Sequence, residues 1–144
     1  MKPSRGFSLL ELLIVVAIIL IITTIAVPSF LRSRQAANES AAVAGLRLIT
    51  VAQNAYAASQ QQIFAGSVAA LIADGMLDER FTGQTAGYDF DVELQDQGRS
   101  FLATATAGSS TTGRFDYYSG LDFVIRFTTT AGRAPDGMAG QPVE

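Results

Sequence analysis

From Phe7 to Val27 every position is apolar except Ser8, Glu11, Thr23 and Thr24. At helical rise this run matches a bilayer hydrocarbon core of about 30 Å, so the pattern predicts a membrane-spanning helix. Pro28 follows. It lacks an amide proton and clashes with the preceding turn, which predicts a kink or a loosened turn where the chain leaves the bilayer, without ending the helix. Ser29 to about Ser59 contains no further proline and one glycine, Gly45, and its alanine, glutamine and leucine favour continued helix. Ala41, Ala44, Leu48, Val51, Ala52 and Ala55 form a stripe at intervals of three and four. Ala42, Leu46, Ile49 and Tyr56 widen it, while Arg47, Thr50 and Asn54 mark an opposite polar side. The stripe is the face expected to lie under a domain. One helix of about 50 residues, about 75 Å long, is therefore expected. Its first half is apolar all round, so outside a membrane it stays soluble only among copies of itself.

Beyond the helix the period changes. Ser67 or a neighbour is expected to cap a short helix from Val68 through Leu71 and Ile72 to Met76 or Leu77, ended by Asp78, Glu79 and the Gly83 region. Tyr88, Phe90, Val92 and Leu94 then alternate with Asp89, Asp91 and Glu93, the period of a half-buried strand. Asp96, Gln97 and Gly98 read as a turn, and Ser100–Thr106 as an antiparallel partner with Phe101, Ala103 and Ala105 on one face. After a polar loop at 107–113, Phe115–Tyr118 and Phe123–Thr128 read as a second hairpin around Ser119 and Gly120, with Phe123, Ile125 and Phe127 facing the helix. An irregular tail from Ala131 to Glu144 is expected from its glycines and prolines. The fold class predicted is α+β, with a sheet of about four antiparallel strands laid on the outer half of the long helix. That half must lend its face to the core, because the remaining residues alone make a small domain.

Composition narrows the chemistry. The chain has no histidine and no cysteine, which excludes serine–histidine and cysteine–histidine catalysis, imidazole metal sites and disulfides. No catalytic residue is assigned and no enzyme activity is expected. Asp89, Asp91 and Glu93 share a strand face that could attract a hard cation, yet an exposed row on a half-buried strand explains them, and no metal site is assigned. The Asn38, Glu39, Ser40 triplet has the form of a glycosylation site but falls within the expected helix. The net charge of −3, with arginines scattered singly, makes nucleic-acid binding not evident.

Lys2 and Arg5 precede the apolar run, so the N-terminus is expected on the cytoplasmic side and everything after Pro28 outside, with Arg32 and Arg34 opposing this only weakly. A carboxylate in a membrane helix costs roughly 2.5 to 3.5 kcal/mol at the centre and less near an end, and such groups usually have a functional partner. Glu11 is that carboxylate. A secretory signal peptide would account for a basic start and an apolar stretch, and a plain anchor for any single span. Neither explains glycine, phenylalanine and glutamate at fixed spacing, here Gly6, Phe7 and Glu11.

Through these residues and the helix to Pro28, about the first 30 positions resemble the class III signal of the type IV pilin and pseudopilin family. The resemblance implies a type IV pilin fold. It also implies removal of leader residues 1–6 by a prepilin peptidase cutting between Gly6 and Phe7, N-methylation of Phe7, and assembly through Glu11 and Phe7. The expected segments are then the leader, a transmembrane and filament-core helix at 7–28, its amphipathic continuation at 29–60, and a globular β domain at 61–144. Cleavage removes Lys2 and Arg5, taking the net side-chain charge from −3 to −5, and creates a charged α-amino group one helical turn from Glu11. In a bundle of staggered helices, Glu11 of an incoming subunit can meet the Phe7 amine of its neighbour. Apolar helices slide with little preference, whereas an unpaired charge in a low-dielectric bundle is expensive, so one axial offset is favoured.

The implied partners are a homopolymer of this chain, the prepilin peptidase, and an inner-membrane assembly platform and motor. The implied location is the bacterial inner membrane as a single-pass protein, then a pilus on the cell surface, serving adhesion, twitching motility or uptake. The alternatives are a major pseudopilin of a type II secretion system and a minor pilin with a binding role. Major pseudopilins carry a structural calcium in C-terminal turns, where this chain has Asp116, Asp122 and Asp136, although no dense acidic loop is visible. No other cofactor is implied.

Overall fold

In the computed structural model, residues 7–128 and 140–143 are described. Helix α1 runs from Leu9 to Ser59, and the chain divides into two compact units, one ending at Ser33 and the other beginning at Arg34. The second unit contains the outer part of α1, a short helix α2 (Val68–Ala73) and five strands: β1 (Tyr88–Gln95), β2 (Ser100–Ala107), β3 (Asp116–Ser119), β4 (Arg126–Thr128) and β5 (Gln141–Pro142). The strands form one antiparallel sheet in chain order, so every connection is local. The chain is α+β with a long N-terminal helix, as the pattern predicts. The fifth strand lies in the expected irregular tail, where Gln141 and Pro142 pair with Phe127 and Arg126.

Local chemistry sets the ends of these elements. Ser67 caps α2 by accepting the Ala70 amide on its hydroxyl. That helix stops at Ala73, short of Met76, and Asp78 instead caps a 3₁₀ turn at Glu79–Thr82. In the register of β1 and β2, Tyr88 lies opposite Ala107 and Gln95 opposite Ser100. The turn between them passes through Asp96, Gln97 and Gly98, all at positive φ. β3 has the expected length one residue further on, and β4 is shorter than expected, because Phe123 takes a left-handed φ of 57° and stays outside the strand.

The core lies between the sheet and one face of α1, and that face keeps only part of the predicted stripe: Ala42, Leu46, Ile49 and Ala52 are buried as expected. Ala41, Ala44, Leu48, Val51 and Ala55 are exposed, while Glu39, Ala42, Val43, Gly45, Leu46, Ile49, Thr50, Ala52, Gln53 and Ala57 are buried. Backbone approach and specific polar bonds select this face over greasiness. At Gly45 an added Cβ would stand 2.6 Å from the Phe90 ring, so only glycine lets that ring close on the helix. Gln53 is fully buried and holds the Ala65 backbone at both its N–H and its C=O, 2.8 and 2.9 Å away. Glu39 accepts the Arg114 amide and grips its guanidinium at 2.8 to 3.0 Å. Against this face pack Leu71, Tyr88, Val92, Phe101, Ala103, Ala105 and Ile125, with Phe127 half-buried at the margin. Phe123 and Leu94, both expected inward, remain exposed: Phe123 lies in the loop before β4, and Leu94 stands at the exposed end of β1.

Candidate assembly site

The N-terminal segment begins with a cap. The sequence Ser8-Leu9-Leu10-Glu11 places a serine before the first helical residue and a glutamate three positions on, and the Glu11 carboxylate accepts the Ser8 backbone N–H at 3.3 Å. This is the returning half of a capping box, which satisfies an amide that the helix leaves free. The Ser-x-x-Glu spacing was there to be read in the chain; reading Glu11 only as a buried charge hides it. Phe7, just ahead of the helix, is exposed.

From Phe7 to Leu31 the large apolar side chains stand 43 to 80% exposed. The two threonines of the run add no open polarity, since the Thr23 hydroxyl donates to the Ile19 carbonyl and that of Thr24 to the Ile21 carbonyl, each at 2.7 Å. Such back-bonding satisfies hydroxyls where no water is present. By length and composition α1 is able to cross a membrane. The helix passes through Pro28, which has no amide to offer the Thr24 carbonyl. Of the residues singled out from the sequence, Phe7, Glu11 and Pro28 therefore lie on or beside one exposed apolar helix. Gly6, with Lys2 and Arg5, lies outside the described residues.

Four of the acidic residues considered for cations are engaged elsewhere, while Glu93 is exposed on β1. Asp89 accepts from the Gln84 amide and Asp91 from the Val92 N–H. Asp116 receives the Ala107 N–H. Asp122 binds Arg126 at 2.6 Å and the Val124 N–H; the Arg126 bond holds its carboxyl below the ordinary range against the opposing effect of burial. Asp136 lies outside the described residues. Among the described residues no group of three or more histidines, cysteines, aspartates or glutamates is placed to hold a metal ion. Asn38, of the glycosylation-like triplet, lies in α1 and donates its amide to the Thr112 carbonyl.

Comparison with known proteins adds three findings. A family model described as the prokaryotic N-terminal methylation motif matches residues 1–27. The chain is 36% identical over 76 residues to the type IV wide pilus major component PilA4 of Thermus thermophilus, covering 53% of this chain and 57% of that protein. It is 42% identical over 53 residues to the type IV major pilin protein PilA of Myxococcus xanthus, covering 37% of this chain and 24% of that one. The matched region thus spans little more than half of the first relative and about a quarter of the second. No solved structure matches.

Proposed function

We propose that this chain, a member of the type IV pilin family and not an enzyme, is a structural subunit of a type IV pilus. A prepilin peptidase removes residues 1–6 and leaves an N-methylated Phe7. The subunit waits in the inner membrane with its N-terminus cytoplasmic. An assembly platform and motor then transfer it into a helical filament on the cell surface, for adhesion, twitching motility or uptake. The observation that carries this reading is the run of seventeen large apolar side chains from Phe7 to Leu31, none of them covered by the chain's own fold. At about 1.5 to 3 kcal/mol for each side chain taken out of water, leaving this surface wet forfeits on the order of tens of kcal/mol. A bilayer covers it before assembly, and neighbouring α1 helices cover it afterwards. Pro28 loosens α1 between the two settings.

Within this bundle Glu11 exchanges a partner. In the single chain it caps its own helix through Ser8; in the filament its charge meets the Phe7 ammonium of the adjacent subunit and fixes the axial offset. Glu11→Gln separates the two roles, because a glutamine keeps the capping bond and loses the charge. Membrane insertion and processing should persist. An ammonium left unpaired in an apolar bundle costs about 3 kcal/mol or more, so filament yield should fall about 100-fold. Sheared surface fibres, quantified against the membrane pool, give the measurement, and wild-type yield from the variant would contradict the pairing.

A further inference from the structure

At the C-terminal end of α1 lies an open cleft of about 780 Å³. Asn54 reaches it from the helix, Gln61 and Gln62 from the following connector, and Gln97 and Arg99 from the turn between β1 and β2. All five side chains are exposed, and none holds a hydrogen-bond or ion-pair partner among the described residues. Outside the cleft, the amides of Gln35, Asn38, Gln53 and Gln84 are tied to a backbone or side-chain group, whereas among the described residues those of Gln60 and Gln95 are not.

Of the six non-glycine residues at positive φ among the described residues, three are glutamines of this cleft; the others are Ala86, Asp96 and Phe123. Helix α1 closes with the Gln62 amide bonded back to the Ala57 carbonyl at 2.8 Å, a turn that needs a left-handed residue at the position glycine usually takes. Gln61 takes it, at a φ of 54°, and Gln62 and Gln97 stand at 65° and 56°. Long side chains rarely adopt this conformation, and glycine or asparagine would meet the folding requirement with less strain. Three carboxamides held in strained positions around one cleft point to the side chains themselves as the reason.

Their chemistry defines the ligand. A carboxamide offers two donors and an acceptor side by side, which matches adjacent hydroxyls that both give and accept hydrogen bonds. Arg99 adds a planar fork suited to a carboxylate, and no Asp or Glu lines the cleft to oppose it. Ile63, Phe64 and Leu121 supply an apolar patch for a C–H face. An extended peptide is usually taken by an open strand edge, and no strand residue lines this cleft. We propose that the cleft binds a saccharide, its hydroxyls held by the carboxamides and the carboxylate of an acidic sugar by Arg99.

The proposal does not depend on polymer formation, so its test uses the unassembled full-length chain. The protein is held in lauryldimethylamine oxide, whose headgroup carries no sugar. Calorimetric titration and saturation-transfer NMR are run with lactose, chitobiose, sialyllactose and digalacturonate, and with a pool of random hexapeptides. An acidic saccharide should bind about tenfold or more tighter than lactose, and Arg99→Gln should abolish that preference. Paired Gln61→Gly and Gln97→Gly should weaken binding about tenfold or more while the melting temperature stays level or rises, since glycine relieves the left-handed backbone. Failure of all four saccharides to bind would overturn the proposal. So would equal affinity for acidic and neutral sugars, glycine variants that bind like wild type, or hexapeptides that displace the sugar.

Discussion

Removing the guanidinium of Arg114 while keeping its backbone strands a carboxylate inside the domain. Glu39 is only 6% exposed. Burial pushes its carboxyl upward in pKa, and the Arg114 side chain and amide pull it below its ordinary value of 4.5 by more than that. Arg114→Ala leaves the backbone amide bond at 2.8 Å but deletes the guanidinium contacts at 3.0 and 2.8 Å. Breaking a buried pair typically costs 3 to 5 kcal/mol; here the arginine side chain is 57% exposed, so about 2 to 3 kcal/mol is expected. For a unit of this size that lowers the melting temperature by about 8 to 12 °C. The pH dependence then reverses sign. In the wild type the folded pKa is depressed, so the stabilisation is present above the unfolded value and is lost as pH falls below about 4.5. In the variant only burial and the amide remain, burial dominates, and the folded pKa lies above the unfolded one. Its destabilisation is therefore relieved as pH falls from 7 towards 4.5. Near-UV dichroism of the tyrosines, followed through thermal unfolding of the full-length chain in detergent, reads both effects. A melting-temperature gap that stays constant or widens all the way from pH 7 to pH 4.5 would refute the reasoning.

Two further variants probe the other ends of the account. Gly6→Val should block cleavage, leaving a chain that keeps residues 1–6, carries no free amine at Phe7 and stays in the membrane fraction; intact mass and fibre yield check this, and an uncleaved chain found in fibres would contradict it. Gly45→Val should force the Phe90 ring, with its edge-on partner Phe81 at 5.2 Å, off the helix. A loss of about 1 to 3 kcal/mol in thermal unfolding is the expected result, and an unchanged melting temperature would show that the close approach is dispensable.

Legibility in the sequence followed the range of the interactions. The apolar helix through Val27, the Ser67 cap, the alternation in β1 and the turn at Asp96–Gly98 rest on neighbours a few residues apart, and each appears where its pattern predicts it. The pattern of α1 names Ala42, Leu46, Ile49 and Ala52, but not the exact face that is buried. That face is chosen by Phe90 closing on Gly45, by Ala65 meeting Gln53 and by Arg114 meeting Glu39, partners that hydropathy along the helix cannot register. For the same reason Thr50 reads as polar side and is buried, while Leu48 and Val51 read as core and are exposed. At the N-terminus, Phe7 and Glu11 are singled out by the family resemblance that their spacing carries, whereas the bond from Ser8 to Glu11 shows that the acid already has work within its own helix. The amide-lined cleft was invisible, because its residues come from three separate segments and the left-handed backbone that presents them has no signature in glutamine.

Electron cryomicroscopy of sheared surface filaments reads the pairing of Phe7 and Glu11 directly. The account predicts a chain that begins at Phe7, with the Glu11 carboxylate of each subunit within about 4 Å of the Phe7 nitrogen of the next. Helices that still carry residues 1–6, or a Glu11 bonded only to its own Ser8 while adjacent helices adopt no common offset, would contradict it.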